Sequence, residues 1–147
     1  MSETIVIGGL TLEFLHSRDD TAHSLDMFRM TIQPQARMPI AHYHDRWDET
    51  VYGLIGITHW TLDDREIAVG PGESLFIPRG VVHVFDNRTD TAVSCLSVLT
   101  PGVLGPAYFR EIAALVGSGA PDPDKMKEVM TRHGLIAVPN SERHTRR

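Results

Sequence analysis

The chain has 147 residues, a formal net charge of −5 and 41% apolar residues, so it suits one domain (1–147) with one core and is not a disordered chain. Acidic and basic residues are interspersed, with one basic cluster at the C-terminal tail, which argues against nucleic acid as a partner. No apolar run approaches the ~20 residues a membrane helix needs, so neither nucleic acid nor membrane is expected as a partner.

The N-terminal stretch Met1–Gly9 carries no basic segment followed by a long apolar one, which points to a cytoplasmic protein. Short apolar stretches broken by Gly, Pro and Asp then run from residue 4 to about residue 100. Thr4–Ile7 and Leu10–His16 read as strands on either side of Gly8-Gly9. Leu25–Gln33 alternates, with Phe28, Met30 and Ile32 on one face and Arg29 and Thr31 on the other. Thr50–Ile55, Ile57–Leu62 and Glu66–Val69 follow, with Asp63-Asp64 as a turn. Ser74–Pro78, Val82–Asn87 and Ala92–Leu99 complete the series. The last of these carries Cys95, the single cysteine, which reads as an inert core thiol and excludes an intrachain disulfide. Many short strands with regular turns predict a sandwich or barrel rather than a parallel sheet.

After Thr100-Pro101-Gly102 the period changes, and a helical extension is expected over about 106–134. Phe109, Ile112, Ala113 and Val116 fall at helical spacing within Ala107–Val116. Asp122 is a candidate N-cap with Pro123 at the first helical position, and Gly134 is a C-terminal stop. Both helices are expected to pack on the outside of the β region, with their Met and aromatic residues as packing surface. Residues 139–147, which hold the basic cluster Arg143 to Arg147, read as a solvated tail.

Two stretches carry the chemistry. In a strand, His42 and His44 point to one face, about 6.6 Å apart along the chain, and both ring nitrogens can reach one ion. Glu49 follows a short polar segment that can turn the chain back and bring in a carboxylate. Farther on, Pro78 and Gly80 bracket a tight turn, and Val81, His83, Phe85 and Asn87 share a face of the outgoing strand. An inward His83 must satisfy its ring nitrogens, either by a metal or as a hydrogen-bonded core residue. If Glu49 points inward, Gly53 does too. Its missing side chain then either leaves space near a metal or accommodates a bulge. His16, His23, His59, His133 and His144 match no ligand spacing.

Together these stretches resemble the two motifs of the cupin superfamily. The first, Gly-X5-His-X-His-X3,4-Glu-X6-Gly, is met by His42, His44, Glu49 and Gly56, with Ala36 in place of the opening glycine. The second, Gly-X5-Pro-X-Gly-X2-His-X3-Asn, is met by Gly72, Pro78, Gly80, His83 and Asn87. The resemblance, which looks most like small single-domain quercetinase-type cupins, implies an all-β fold. Its form would be a double-stranded β-helix (jelly-roll) barrel with two short C-terminal α-helices. It further implies that His42, His44, Glu49 and His83 converge inside the barrel on one divalent transition-metal ion (Fe, Ni, Mn, Cu, Co or Zn). Such a centre would keep open positions for a small-molecule substrate.

Gly53, Phe76, Phe85 and Met38, with Tyr52 and Trp47, are expected as pocket wall, and Glu49 as a proton acceptor besides being a ligand. The implied activity is a metal-dependent oxygenase (dioxygenase) acting on a small enolic or aromatic oxygenated metabolite. A metal-dependent isomerase or lyase and a non-catalytic binding protein are the alternatives, and a homodimer is expected. Metal affinity should fall as pH drops through the histidine pKa values, near ~6.5 when unperturbed.

Overall fold

The structure, a computed structural model, describes residues 2–36, 40–117, 119 and 121–138. The expected tail 139–147 and the candidate pocket residue Met38 therefore lie outside the described residues.

Ten strands precede two helices: β1 (Glu3–Ile7), β2 (Leu10–His16), β3 (Asp26–Ile32), β4 (His42–His44), β5 (Asp48–Ile55), β6 (Thr58–Leu62), β7 (Arg65–Val69), β8 (Ser74–Ile77), β9 (His83–Asp86) and β10 (Val93–Thr100). Then come α1 (Gly105–Gly117), α2 (Pro123–Arg132) and a last short strand, β11 (Leu135–Ala137). The strands form two antiparallel sheets, ordered β1-β2-β3-β10-β5-β8 and β11-β4-β9-β6-β7. They face each other as a jelly-roll-like sandwich. This is the expected jelly-roll architecture with its two C-terminal helices, and among the described residues no ladder joins the two sheets into a closed barrel.

The alternation that defined the strands in the sequence also decides what they bury. In β3, Phe28, Met30 and Ile32 are buried while Met27, Arg29 and Thr31 are half-buried. In β6, Thr58, Trp60 and Leu62 take the inner face. One apolar cluster runs from Ile5 and Leu12 through Phe28, Trp60 and Phe85 to Tyr108, Ile112 and Met130, so the helices share the core of the sheets. Burial of this kind contributes about 25 cal/mol per Å² of apolar surface. Cys95 lies fully buried in β10, where desolvation, with a further push from the Glu49 charge, raises its thiol to about 12. It is a packed thiol, not a nucleophile.

The helix ends follow their capping chemistry. The Asp122 side chain accepts from the Asp124 backbone N–H at 2.9 Å, with Pro123 opening α2. The helices pack on the edges of the β region, α1 against β1 and α2 against β11, and their buried Tyr108, Ile112, Met126 and Met130 also line a cavity between the elements. An apolar stripe at helical spacing specifies a buried face, but not what that face meets.

Β11 has no counterpart among the strands expected from the sequence. It pairs antiparallel with β4, setting Leu135 opposite His44 and Ala137 opposite His42. A three-residue strand is too short to show a period, and Gly134 before it reads only as a helix stop.

Candidate metal centre

The register of the five-stranded sheet builds the histidine cluster. Β4 lies beside β9, and His42 is the cross-strand partner of His83. His44, two positions along β4, shares the inward face. All three rings are buried, and their centroids lie 4.7 Å (His42–His83), 4.9 Å (His44–His83) and 6.0 Å (His42–His44) apart. One ligand nitrogen from each lies within 4.8 Å of the others, an arrangement that could hold a metal ion.

Each ring is oriented by its other nitrogen. Nδ1 of His42 faces the Ile40 carbonyl at 3.2 Å, Nδ1 of His44 the Trp47 carbonyl at 3.0 Å, and Nδ1 of His83 the Val81 carbonyl at 3.0 Å. A carbonyl accepts only, so each Nδ1 carries the proton and donates it. Nε2 is then left with a free lone pair. Backbone carbonyls that fix tautomer and ring angle in this way are the usual outer support of metal-binding imidazoles.

Glu49 reaches the cluster from the facing sheet, where β5 pairs it with Ile77 on β8 and Leu99 on β10. Its Oε1 is 3.5 Å from His44 Nε2 and 3.7 Å from His83 Nε2. The mutually close set comprises the three imidazoles, and Glu49 stands at its edge.

Burial dominates the electrostatics. Desolvation, with the charges of His83 and His44, holds His42 well below 6.5, outweighing the bond to the Ile40 carbonyl. Desolvation likewise lowers His83, against the opposing pull of Glu49. For Glu49 burial raises the carboxyl, but the nearby His44 and His83 imidazoles lower it by more, and it lies below 4.5. Neutral imidazoles and an ionised carboxylate are the forms that ligate a metal.

A cavity of about 120 Å³ adjoins this cluster. His42, His44, His83 and Glu49 form its polar side, and the rest is lined by side chains such as Phe28, Met30, Phe109, Ile112 and Met130. Of the expected wall residues, Phe85 and Trp47 line it. Phe76 does not: it is 55% exposed on the outer face of β8, because Ile77, paired with Glu49, takes the inner one. Tyr52, 45% exposed, also faces outward.

Gly53 faces inward but makes no room beside the metal centre. A Cβ there would lie 2.0 Å from the Gly70 carbonyl oxygen, so the glycine admits a crossing backbone. Its N–H donates to the Glu73 carbonyl at 2.8 Å, and the ladder with β10 shifts register next to it. The bulge alternative accounts for it.

Around the centre, the glycine replaced by Ala36 is bypassed: the left-handed position is Gln35, at φ 65°. Gly80, at φ 87°, donates its N–H to the His44 carbonyl at 2.8 Å, which ties the β8–β9 turn to the histidine strand. Asn87 is a turn residue: Nδ2 donates to the Ile32 and Thr91 carbonyls at 3.0 and 2.8 Å, and Oδ1 accepts from the Thr89 N–H at 2.9 Å. Arg79 clasps Asp48 through Nε and Nη2, both at 3.1 Å, joining the segment before Glu49 to the turn before His83. That clasp, the helical lining and β11 were missed by the sequence reading. Only the opposite charges of Asp48 and Arg79 hinted at any of them.

Two tryptophans stand by the cavity, both fully buried. Trp60 Nε1 donates to Thr58 Oγ1 at 2.9 Å. Trp47 Nε1 has no partner among the described residues, and neither does Ser97 Oγ. A buried donor left unpaired costs about 1–3 kcal/mol. The Trp47 ring stacks on His44, with centroids 4.7 Å apart and planes at 18°.

Comparison with known proteins agrees with this geometry. The family described as Cupin domain matches residues 28–99. A quercetin 2,3-dioxygenase from Bacillus subtilis (strain 168) is 37% identical over 81 residues, which are 54% of this chain and 23% of that protein. The chain thus spans about a quarter of the relative's length. A sugar phosphate isomerase of the cupin superfamily from Silicibacter pomeroyi superposes with a TM-score of 0.57 at 28% identity, covering 64% of this chain and 60% of that one. A polyketide cyclase from Streptomyces resistomycificus gives a TM-score of 0.60 at 26% identity, covering 67% and 73%.

Proposed function

This chain is a member of the cupin superfamily, and from that premise we propose that His42, His44 and His83, with Glu49, hold one divalent transition-metal ion at the centre of a small oxygenase. The observation that carries the reading is the common orientation of the three rings. Each gives its Nδ1 proton to a backbone carbonyl, which leaves Nε2 for a shared ion. Three imidazoles and one carboxylate suit Fe, Mn, Ni, Cu, Co or Zn and not the oxygen-seeking Ca²⁺ and Mg²⁺.

A redox-active ion would supply the oxygen chemistry there, and a redox-inert one only polarisation of a carbonyl. The chain's own residues do the rest. The apolar lining excludes water, and Glu49, ionised at the edge of the cluster, completes the ligand set or takes a proton from a substrate hydroxyl. The substrate is a small enolic or aromatic oxygenated molecule. The likeness to a dioxygenase over 81 residues supports this choice.

The isomerase among the similar structures, at 28% identity, favours a second reading in which the same centre works without O₂ as a Lewis acid. Elemental analysis of protein purified without added metal tests the shared premise, with about one transition metal per chain expected. Oxygen uptake by iron-, nickel- and manganese-loaded protein with enolic and catecholic substrates then separates the readings. Turnover under strict anaerobiosis with zinc would overturn the oxygenase.

A further inference from the structure

We propose that the ligand of this centre is an uncharged, ring-sized molecule with one oxygenated edge at the histidines and hydrocarbon elsewhere, a class that excludes phosphorylated and carboxylated metabolites. The proposal rests on the metal reading above and adds what the rest of the cavity accepts.

The cavity has two unlike parts. His42, His44, His83 and Glu49 make one. The other lining side chains are those of Ile, Leu, Val, Met, Phe, Trp and Tyr, and among the described residues no Lys, Arg, Asn, Gln, Ser or Thr lines it. An ionised phosphate or carboxylate in that part would lose its water and gain no partner, which strongly disfavours it. The few polar atoms of the apolar part do not alter this. Trp60 Nε1 is taken by Thr58 Oγ1 at 2.9 Å, and Trp47 Nε1 is sealed from solvent. Burial raises the Tyr108 hydroxyl, which keeps it a neutral phenol.

Backbone N–H groups at helix N-termini can bind an anion where cationic side chains are missing. Here both helix starts already hold a carboxylate of this chain. The Gly105 N–H at the start of α1, next to the lining residue Leu104, donates to Asp26 Oδ2 at 3.0 Å, and Asp26 is fully buried. At the start of α2 the Asp124 N–H donates to the Asp122 side chain at 2.9 Å.

Volume sets the scale of the ligand. The cavity measures about 120 Å³. An engineered apolar cavity of about 150 Å³ takes one benzene. One ring with its oxygen substituents therefore fits, with its carbon face towards Phe28, Met30, Phe109 and Ile112.

Isothermal titration calorimetry of the zinc-loaded full-length chain at pH 7 tests this with catechol, 4-methylcatechol, 3,4-dihydroxybenzoate, glucose 6-phosphate and quercetin. The second and third probes differ only in carrying a methyl or a carboxylate at the same ring position. 4-Methylcatechol is expected to bind about fourfold more tightly than catechol, the gain of one buried methyl-sized group. 3,4-Dihydroxybenzoate and glucose 6-phosphate are each expected to bind at least about tenfold more weakly than 4-methylcatechol. Quercetin, with three rings, is expected to fall below it by the same factor or more.

Either anion binding within that factor of 4-methylcatechol overturns the exclusion of charged metabolites, and quercetin binding within it overturns the size limit. Equal affinity of 4-methylcatechol for the zinc-free protein overturns the placement of its oxygens at the histidines. Protein that takes up no zinc defeats the metal reading and this proposal with it. Zinc uptake without binding of 4-methylcatechol at millimolar concentration, or with catechol the tighter of the two, defeats this proposal alone.

Discussion

The β4–β9 wall of the cavity presents three histidines, each tied through Nδ1 to a carbonyl two or three positions away in the chain. The opposite wall, from α1 and α2, presents Tyr108, Ile112, Met126 and Met130, placed by packing against the sheets and each other. The first wall is specified atom by atom over short stretches of chain. The second is specified by volume and needs the whole fold to exist before it has a shape. The difference separates a wall set by local hydrogen bonds from a wall set by packing.

Replacing either wall should break a different property, and the largest effect belongs to the histidines. His42→Ala or His83→Ala should lower metal affinity by more than the ~10–100-fold that losing an outer support costs. Circular dichroism should show the sandwich intact, since a small residue replaces a ring at a cavity edge. Elemental analysis of the variants checks this, and full metal content would show that the two walls do not divide the work.

On the helical wall, Ile112→Ala should cost about 2–4 kcal/mol in urea unfolding, as buried aliphatic truncations do. Metal content should stay at the wild-type level, and the enlarged cavity should admit bulkier ligands. A loss of metal equal to that in His83→Ala would mean that the helices also position the centre.

Acid should affect the sheet wall selectively. His42 and His83 are depressed in the folded chain, chiefly by burial, so below about pH 6.5 the unfolded chain binds protons that the folded chain does not. Their contribution is full above that value and is lost as pH falls towards the folded values. Glu49, also lowered, adds a second loss as pH falls from 4.5 through its folded value. Metal-free protein should show urea midpoints that decline from pH 7 to pH 5, and His42→Gln should flatten the decline. The same burial moves metal release to a lower pH than the ~6.5 of free histidine.

The smallest effect is expected at the rim. Arg79→Ala removes the clasp on Asp48, which is solvent-exposed, and exposed pairs contribute little to stability. Thermal melts should barely move, and a slight fall in metal affinity would reflect a looser approach of Glu49 to the cluster.

The sequence by itself determined the strands with clear alternation, the N-cap at Asp122 and the three histidines that the fold brings together. The two motifs were legible because their physics is local: a period of two places His42 with His44, and Pro78 and Gly80 make the turn that delivers His83. Periodicity also showed that the helices bury one face. Only the tertiary structure decided that this face closes the histidine cavity, that β11 covers β4, that Phe76 points outward and that Gly53 yields to the Gly70 backbone. It alone left the Trp47 N–H unpaired while pairing that of Trp60. Each of these depends on which distant segments come together, and spacing along the chain carries no record of a partner from another sheet.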